Sequence, residues 1–198
     1  MKKVIDHYYK KAKEENYAAR SVYKLIEIDQ KYHIIKRGMK ILDIGCSPGS
    51  WSQYILKRIS KGKLFGIDIS NKIKTKISSK DKRFTFIKSD IFNINIDFLK
   101  KKTGELDLIL SDISPNTTGE KFLDSQISLR MLKQVFAISD ALLKPGKNVV
   151  AKVFQGEDLE GYLNDNIKSK YKMIQRFKPK SSRKESKEIY IIAIGKKV

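Results

Sequence analysis

From residue 40 onward, short apolar runs alternate with segments of helical periodicity. Lys40–Gly45, Leu64–Asp68, Phe84–Ile87, Leu106–Asp112 and Val149–Phe154 have the length and composition of buried strands. Met173–Phe177 and Ile189–Ile194 complete a set of seven. Ser52–Ile59, Asp124–Leu143 and Asp158–Lys168 read as helices. In the longest, Leu123, Ile127, Met131, Val135 and Ile138 are expected on the buried face, and Pro145-Gly146 ends it. Such alternation predicts an α/β, doubly wound, Rossmann-like fold: a largely parallel sheet with helices on both sides. Residues 6–30 read as one or two basic helices ahead of it. No repeat and no Pro/Gly/Ser-rich linker interrupts the chain. Residues 1–198 are therefore expected as a single domain, with residues 1–35 a basic helical extension packed on the core.

Charge adds a partner to this picture. The net charge is +20. Residues 1–40 hold 11 Lys/Arg against 5 Asp/Glu, and residues 168–198 hold 11 against 2. The middle of the chain carries 20 against 15. Two basic ends around a nearly balanced core suggest a polyanion, most simply nucleic acid, although lysine is abundant throughout. No apolar run reaches the length of a membrane span, so no membrane partner is expected. Met1–Asp6 lacks the apolar core of a secretory signal. The single cysteine, Cys46, cannot form an internal disulfide, which suits a reducing compartment. The expected setting is intracellular, in the cytoplasm or an organellar matrix such as the mitochondrial one. His7, His33 and Cys46 form no metal-ligand pattern, so no metal is expected.

Candidate chemistry gathers where the strands end. In open α/β sheets the ligand lies beyond the carboxyl ends of the strands. Here those ends carry Asp43 and Gly45, Asp68, Asp90, Asp112 and Lys152. The turn Gly45-Cys46-Ser47-Pro48-Gly49-Ser50-Trp51 lacks both the Gly-x-Gly-x-x-Gly of dinucleotide folds and the Gly-Lys-Ser/Thr of a phosphate loop. Asp68 is placed to accept from both hydroxyls of a ribose, and Asp90 from an adenine amino group. An adenosine ligand without pyrophosphate fits this set, hence S-adenosylmethionine. Gly45, Pro48, Gly49, Trp51, Asp68, Asp90 and Asp112 are its candidate contacts, Trp51 packing either on the ligand or in the core. A lysine inside the apolar run Val149–Phe154 needs a reason to be there. Neighbouring strands lie about 4.8 Å apart, so Asp112 and Lys152 are expected to meet.

These residues resemble the RrmJ/FtsJ ribose 2′-O-methyltransferases, in their heat-shock ribosomal RNA branch. The likeness runs from about Tyr8 to the C-terminus. Its motifs are Ala19–Leu25, Pro48–Gln53, Ser111–Asn116, Ala151–Gly156 and Pro179–Arg183 followed by Ser186–Tyr190. The resemblance implies a methyltransferase sheet with an antiparallel last strand and a catalytic tetrad of Lys24, Asp112, Lys152 and Glu188. It implies S-adenosylmethionine as cofactor and the 2′-hydroxyl of a nucleotide, a uridine of large-subunit ribosomal RNA, as acceptor. The partner is then ribosomal RNA or the ribosomal subunit, met by a monomer, with Arg20, Lys180 and Arg183 as RNA contacts. Tyr8–Glu15 and the Gly49–Trp51 loop look more like the tRNA anticodon-loop branch. A tRNA ribose methyltransferase is thus one alternative, and a non-catalytic RNA-binding module another. Lys152 either takes the hydroxyl's proton as a general base or orients its lone pair as a charged donor.

Overall fold

A computed structural model describes residues 7–70, 81–183 and 185–198. Asp6, where the first helix was expected to start, lies outside them. Two helices lead, α1 (His7–Glu14) and α2 (Val22–Tyr32). The elements β1 (Lys40–Ile44), α3 (Ser50–Ile59), β2 (Lys63–Asp68), β3 (Phe84–Lys88), α4 (Ile96–Thr103), β4 (Leu106–Ser111), α5 (Lys121–Leu142) and β5 (Leu143–Phe154) follow. The helix α6 (Asp158–Tyr162) continues into one π-helical turn, Leu163–Ile167, and β6 (Tyr171–Phe177) and β7 (Glu188–Lys196) close the chain. The seven strands form one sheet in the order β3-β2-β1-β4-β5-β7-β6. The first five run parallel, and β7 is antiparallel to both β5 and β6. The order reverses around β1, where a doubly wound sheet opens its ligand crevice.

Both faces are covered. One core layer joins the sheet to α4, α5 and α6 through residues such as Leu99, Leu132, Val135, Phe136 and Leu159. The other joins it to α2 and α3 through Leu25, Ile28, Trp51, Ile55 and Ile59. With two buried faces, β1 and β4 read as nearly unbroken apolar runs.

The long helix corrects one expectation. Leu123 is exposed, and Ile127 and Met131 are only half-buried. Val135 and Ile138 are fully buried as expected, and the covered face is completed by Ser125, Ser128, Leu129, Leu132, Phe136 and Ser139. A row of residues four apart drifts around the helix, and small serines hold the close approach to the sheet. Ser128 Oγ accepts from Phe154 N at 2.9 Å, and Ser139 Oγ lies 2.6 Å from the Tyr171 hydroxyl. The helix ends at Leu142, ahead of Pro145, and β5 starts at once, six residues before the apolar run suggested. The pairing of β4 with β5 shifts register between Leu106 and Leu108, which lets Pro145-Gly146 sit in this irregular start. The helix α4 is an addition to the expected set. Asn95 caps it, its side chain accepting from Phe98 N at 2.9 Å.

Candidate active site

Strand register assembles the centre of the site. Lys152 on β5 pairs directly with Tyr190 on antiparallel β7, and Phe154 pairs with Glu188. Paired residues share a face, and so do residues two apart, so Lys152, Tyr190 and Glu188 all point toward the side covered by α2 and α3. Asp112 follows β4, the other neighbour of β5. Lys152 Nζ lies 3.1 Å from Asp112 Oδ1 and donates to the Asp112 carbonyl oxygen at 2.7 Å. The Tyr190 hydroxyl donates to the same carboxylate oxygen at 2.6 Å. From α2, Lys24 Nζ meets Glu188 Oε1 at 2.5 Å. Lys152 is 7% exposed, so this is an ion-paired cluster at the edge of the core rather than a solvated surface pair.

The electrostatics follow from that packing. Burial works to raise the Asp112 pKa, but Lys152, Lys24 and the Tyr190 hydrogen bond outweigh it and hold the carboxyl below the ordinary carboxylate range. Tyr190 moves the other way: burial and the neighbouring Asp112 push its pKa well up, which keeps it a protonated donor. At neutral pH the cluster therefore presents a fixed carboxylate held from two sides.

Asp112 also lines a cleft of about 390 Å³ outside the carboxyl ends of β1, β2 and β4. Its walls are mainly apolar, from Ile67, Ile69, Phe92, Ile113 and Met131, and Asp68 and Asp90 stand in them. Both carboxylates are oriented by main-chain donors: Asp68 accepts from Ser47 N at 2.9 Å and Ser70 N at 2.8 Å, and Asp90 from Phe92 N at 2.9 Å. Each keeps lone pairs for a ligand. Gly45 is required where it is. Its φ is +76°, and a Cβ would come within 2.9 Å of Ile113 Cα, so only glycine lets the loops after β1 and β4 close this wall. Pro48, Gly49 and Trp51 do not line the cleft. Gly49, at φ 103°, caps α3. Trp51 is buried against Tyr190, and its indole Nε1 donates to the Ser21 carbonyl at 2.8 Å. The tryptophan thus ties the loop to the segment carrying Lys24.

A second cleft, of about 340 Å³, is lined by Arg20, Lys24, Arg183, Ser186 and Glu188, and so contains the Lys24–Glu188 ion pair. Burial and the nearby Arg183 lower the pKa of Arg20, as expected where two guanidinium groups share a site. Arg20 donates to the Ser181 carbonyl, which fixes the loop carrying Arg183. Lys180 lies farther out, its backbone N donating to Glu27 at 2.6 Å.

The apolar cleft thus reaches the buried Lys-Asp pair through Asp112, and the arginine-lined cleft holds the Lys24–Glu188 pair, whose ammonium acts on the same carboxylate. A family model described as FtsJ-like methyltransferase matches residues 17–196. The chain belongs to the FtsJ-like methyltransferase family. A relative from Desulfosudis oleivorans, named ribosomal RNA large subunit methyltransferase E, is 41% identical over 99% of this chain and 93% of its own length. A Bdellovibrio bacteriovorus relative of the same name is 39% identical, covering 97% of each chain. A solved Plasmodium falciparum structure, assigned as a ribosomal RNA methyltransferase, is 31% identical with a TM-score of 0.75, over 91% of this chain and 98% of that one.

Two features of this FtsJ-like site escape a reading of strand ends. Tyr190 looks like an ordinary strand aromatic, yet its hydroxyl completes the Asp112 environment; the signal was its place in an apolar strand two residues after Glu188. Asp43, by contrast, is not a ligand-facing strand end. It is fully buried behind the cleft and accepts from Ser52 Oγ at 2.6 Å. Burial, helped by Asp112 and Asp68 against the Ser52 hydrogen bond, pushes its pKa up to about 7. The folded state therefore holds this proton more tightly than the unfolded state. The stability it contributes is complete below about pH 4 and falls as pH rises to about 7, by at most about 1.4 kcal/mol per pH unit. In urea unfolding from pH 4 to 7, Asp43→Asn should flatten that slope; identical slopes in both proteins would contradict it. Among the described residues, no cluster of three or more His, Cys, Asp and Glu side chains is arranged to hold a metal, and no helix is long and apolar enough to cross a membrane.

Proposed function

We propose that this FtsJ-like methyltransferase uses S-adenosylmethionine to methylate the 2′-hydroxyl of a nucleotide, a uridine, in large-subunit ribosomal RNA. The observation that carries this reading is the buried Lys152–Asp112–Tyr190 cluster between an adenosine-sized cleft and an arginine-lined one. The names of the relatives favour ribosomal RNA over tRNA. The working partner is then ribosomal RNA or the ribosomal subunit, met inside the cell by a monomer.

The cofactor fits the first cleft by chemistry. Asp68 would take the ribose hydroxyls, Asp90 the adenine amino group, and the apolar walls the adenine faces. Gly45 and Ser47, which line the same cleft, would border its amino-acid end. When bound, S-adenosylmethionine supplies an electrophilic methyl group on a sulfonium. The remaining work falls to the chain: holding the acceptor in line, excluding water and managing the hydroxyl's proton. Lys152 meets the hydroxyl, either taking its proton or aiming its lone pair, and Asp112 with Tyr190 fixes where the Lys152 amine sits. Glu188 holds Lys24 beside the same hydroxyl, while Arg20 and Arg183 face the flanking phosphates.

Asp68 gives a direct test of the cofactor assignment. Asp68→Ala should weaken S-adenosylmethionine binding in calorimetry by about 1.5–3 kcal/mol, the worth of hydrogen bonds to a charged acceptor. Unchanged affinity would remove Asp68 from the ligand. For the acceptor, methyl transfer from labelled S-adenosylmethionine should be compared on unmodified large-subunit ribosomal RNA, ribosomal subunits and tRNA. Incorporation into ribosomal RNA or subunits is expected; incorporation into tRNA alone would move the enzyme to the anticodon-loop branch.

A further inference from the structure

Beyond the arginine-lined cleft, a groove of about 670 Å³ runs along the outer side of α2. Tyr23, Ile26, Glu27, Gln30 and Lys31 contribute to it at helical spacing, so it follows the helix for about 12 Å. Three rings, Tyr8, Tyr23 and Phe177, and three ammonium groups, Lys11, Lys31 and Lys180, line it. The rings already carry cations. Lys11 Nζ stands 5.0 Å from the centre of Tyr23, and Lys31 Nζ 4.7 Å from that of Phe177. Glu27, the one carboxylate in the lining, accepts from the backbone N–H groups of Lys180 at 2.6 Å and Ser181 at 2.8 Å, so three ammonium groups outnumber it.

The groove is continuous with the catalytic side. Arg20 lies over the Tyr8 ring, 5.8 Å from its centre, donates to the Ser181 carbonyl, and lines the cleft holding Lys24 and Glu188. A chain of phosphates leaving that cleft past Arg20 meets Lys180, Lys11 and Lys31 next. Packing alone accounts for much of Tyr23, which is buried, but Tyr8 remains half-exposed and the three lysines edge the opening. Clustered rings offer something only to bases whose faces are free, which a duplex does not provide.

We infer that this groove takes a single-stranded stretch of the substrate RNA next to the methylated nucleotide, with an unstacked base among Tyr8, Tyr23 and Phe177 and phosphates on Lys11, Lys31 and Lys180. The inference rests on the RNA reading above and extends it to a second contact region. It also assigns α1 a role in selecting an acceptor with an unpaired flank.

The test uses the full chain, a short single-stranded oligouridylate, a blunt, fully paired two-strand RNA duplex and unmodified large-subunit ribosomal RNA. Tyr8→Ala should weaken oligouridylate binding by about 5- to 150-fold, the range for one stacked base, and duplex binding much less. Tyr8→Phe keeps the ring and should bind like the parent. Lys11→Ala with Lys31→Ala should lower the magnitude of the salt slope by about 0.7 per phosphate lost. On ribosomal RNA, all the weakened variants should show a raised KM, with kcat and S-adenosylmethionine affinity unchanged. The lysine pair keeps the test open should Tyr8→Ala unfold α1. Equal losses on duplex and single strand, or an unchanged KM in both the tyrosine and lysine variants, would overturn the groove while RNA methylation stands. Failure of the parent protein to methylate any RNA would overturn the reading beneath it.

Discussion

Lys152→Ala should lower the rate of methyl transfer by about 10²–10⁴-fold, the range for a side chain that takes or directs a proton in the transition state. The reason is geometric. Lys152 is 7% exposed, and Asp112 binds its amine through both the carboxylate, at 3.1 Å, and the main-chain carbonyl, at 2.7 Å. A group held this way is placed before the acceptor arrives and loses little freedom in the reaction. S-adenosylmethionine affinity should barely change, because Lys152 does not line the cleft that holds Asp68 and Asp90. Lys152→Arg separates its two roles: a cation that only orients the hydroxyl should survive in part, and a base should not. Near-parental turnover in Lys152→Ala would remove the lysine from the reaction.

Asp112→Ala should be costly in a different way. It strips the carboxylate from a buried cation and takes from the Tyr190 hydroxyl its acceptor at 2.6 Å. Breaking a buried pair by removing one partner costs about 3–5 kcal/mol, because the remaining charge stays in a poor environment. Urea unfolding at neutral pH should show a loss of that size. Asp112→Ala combined with Lys152→Met should recover much of it, since no buried cation is then left without its counterion. The depressed Asp112 pKa adds a sign: its stabilisation is fully present above the ordinary carboxylate range and is lost as pH falls below it. An Asp112→Ala loss under about 1 kcal/mol would show that the pair is solvated and interchangeable.

What the sequence makes legible is what strands impose. Buried on both faces, β1, β2, β4 and the second half of β5 are apolar runs that stand out from the lysine-rich background, and the polar residues at their ends are then conspicuous. Asp68, Asp90, Asp112 and Lys152 were visible for that reason. Helices hid more. Serines as well as leucines cover the inner face of α5, Ser128 reaching β5 and Ser139 reaching β6, so an apolar stripe alone misplaces the face at Leu123, which is exposed. The helix α4 is eight residues long with three lysines in its last turn, too short and polar to announce itself. Roles that depend on register were also hidden. Nothing local distinguishes Tyr190 from a packing residue until β5 and β7 are aligned and it faces Lys152. Nor does the chain show that Asp43 turns inward to Ser52 while Asp68 turns to the cleft.

The chemical position of the transferred methyl group separates ribose from base chemistry. Large-subunit ribosomal RNA lacking modification is incubated with the protein and S-adenosylmethionine, hydrolysed to nucleosides and analysed by mass spectrometry against 2′-O-methyl and base-methyl standards. One new 2′-O-methylated nucleoside, a uridine, is expected, absent when the Lys152→Ala protein is used. A methyl group on a base, or equal ribose methylation by the parent and Lys152→Ala, would contradict that expectation.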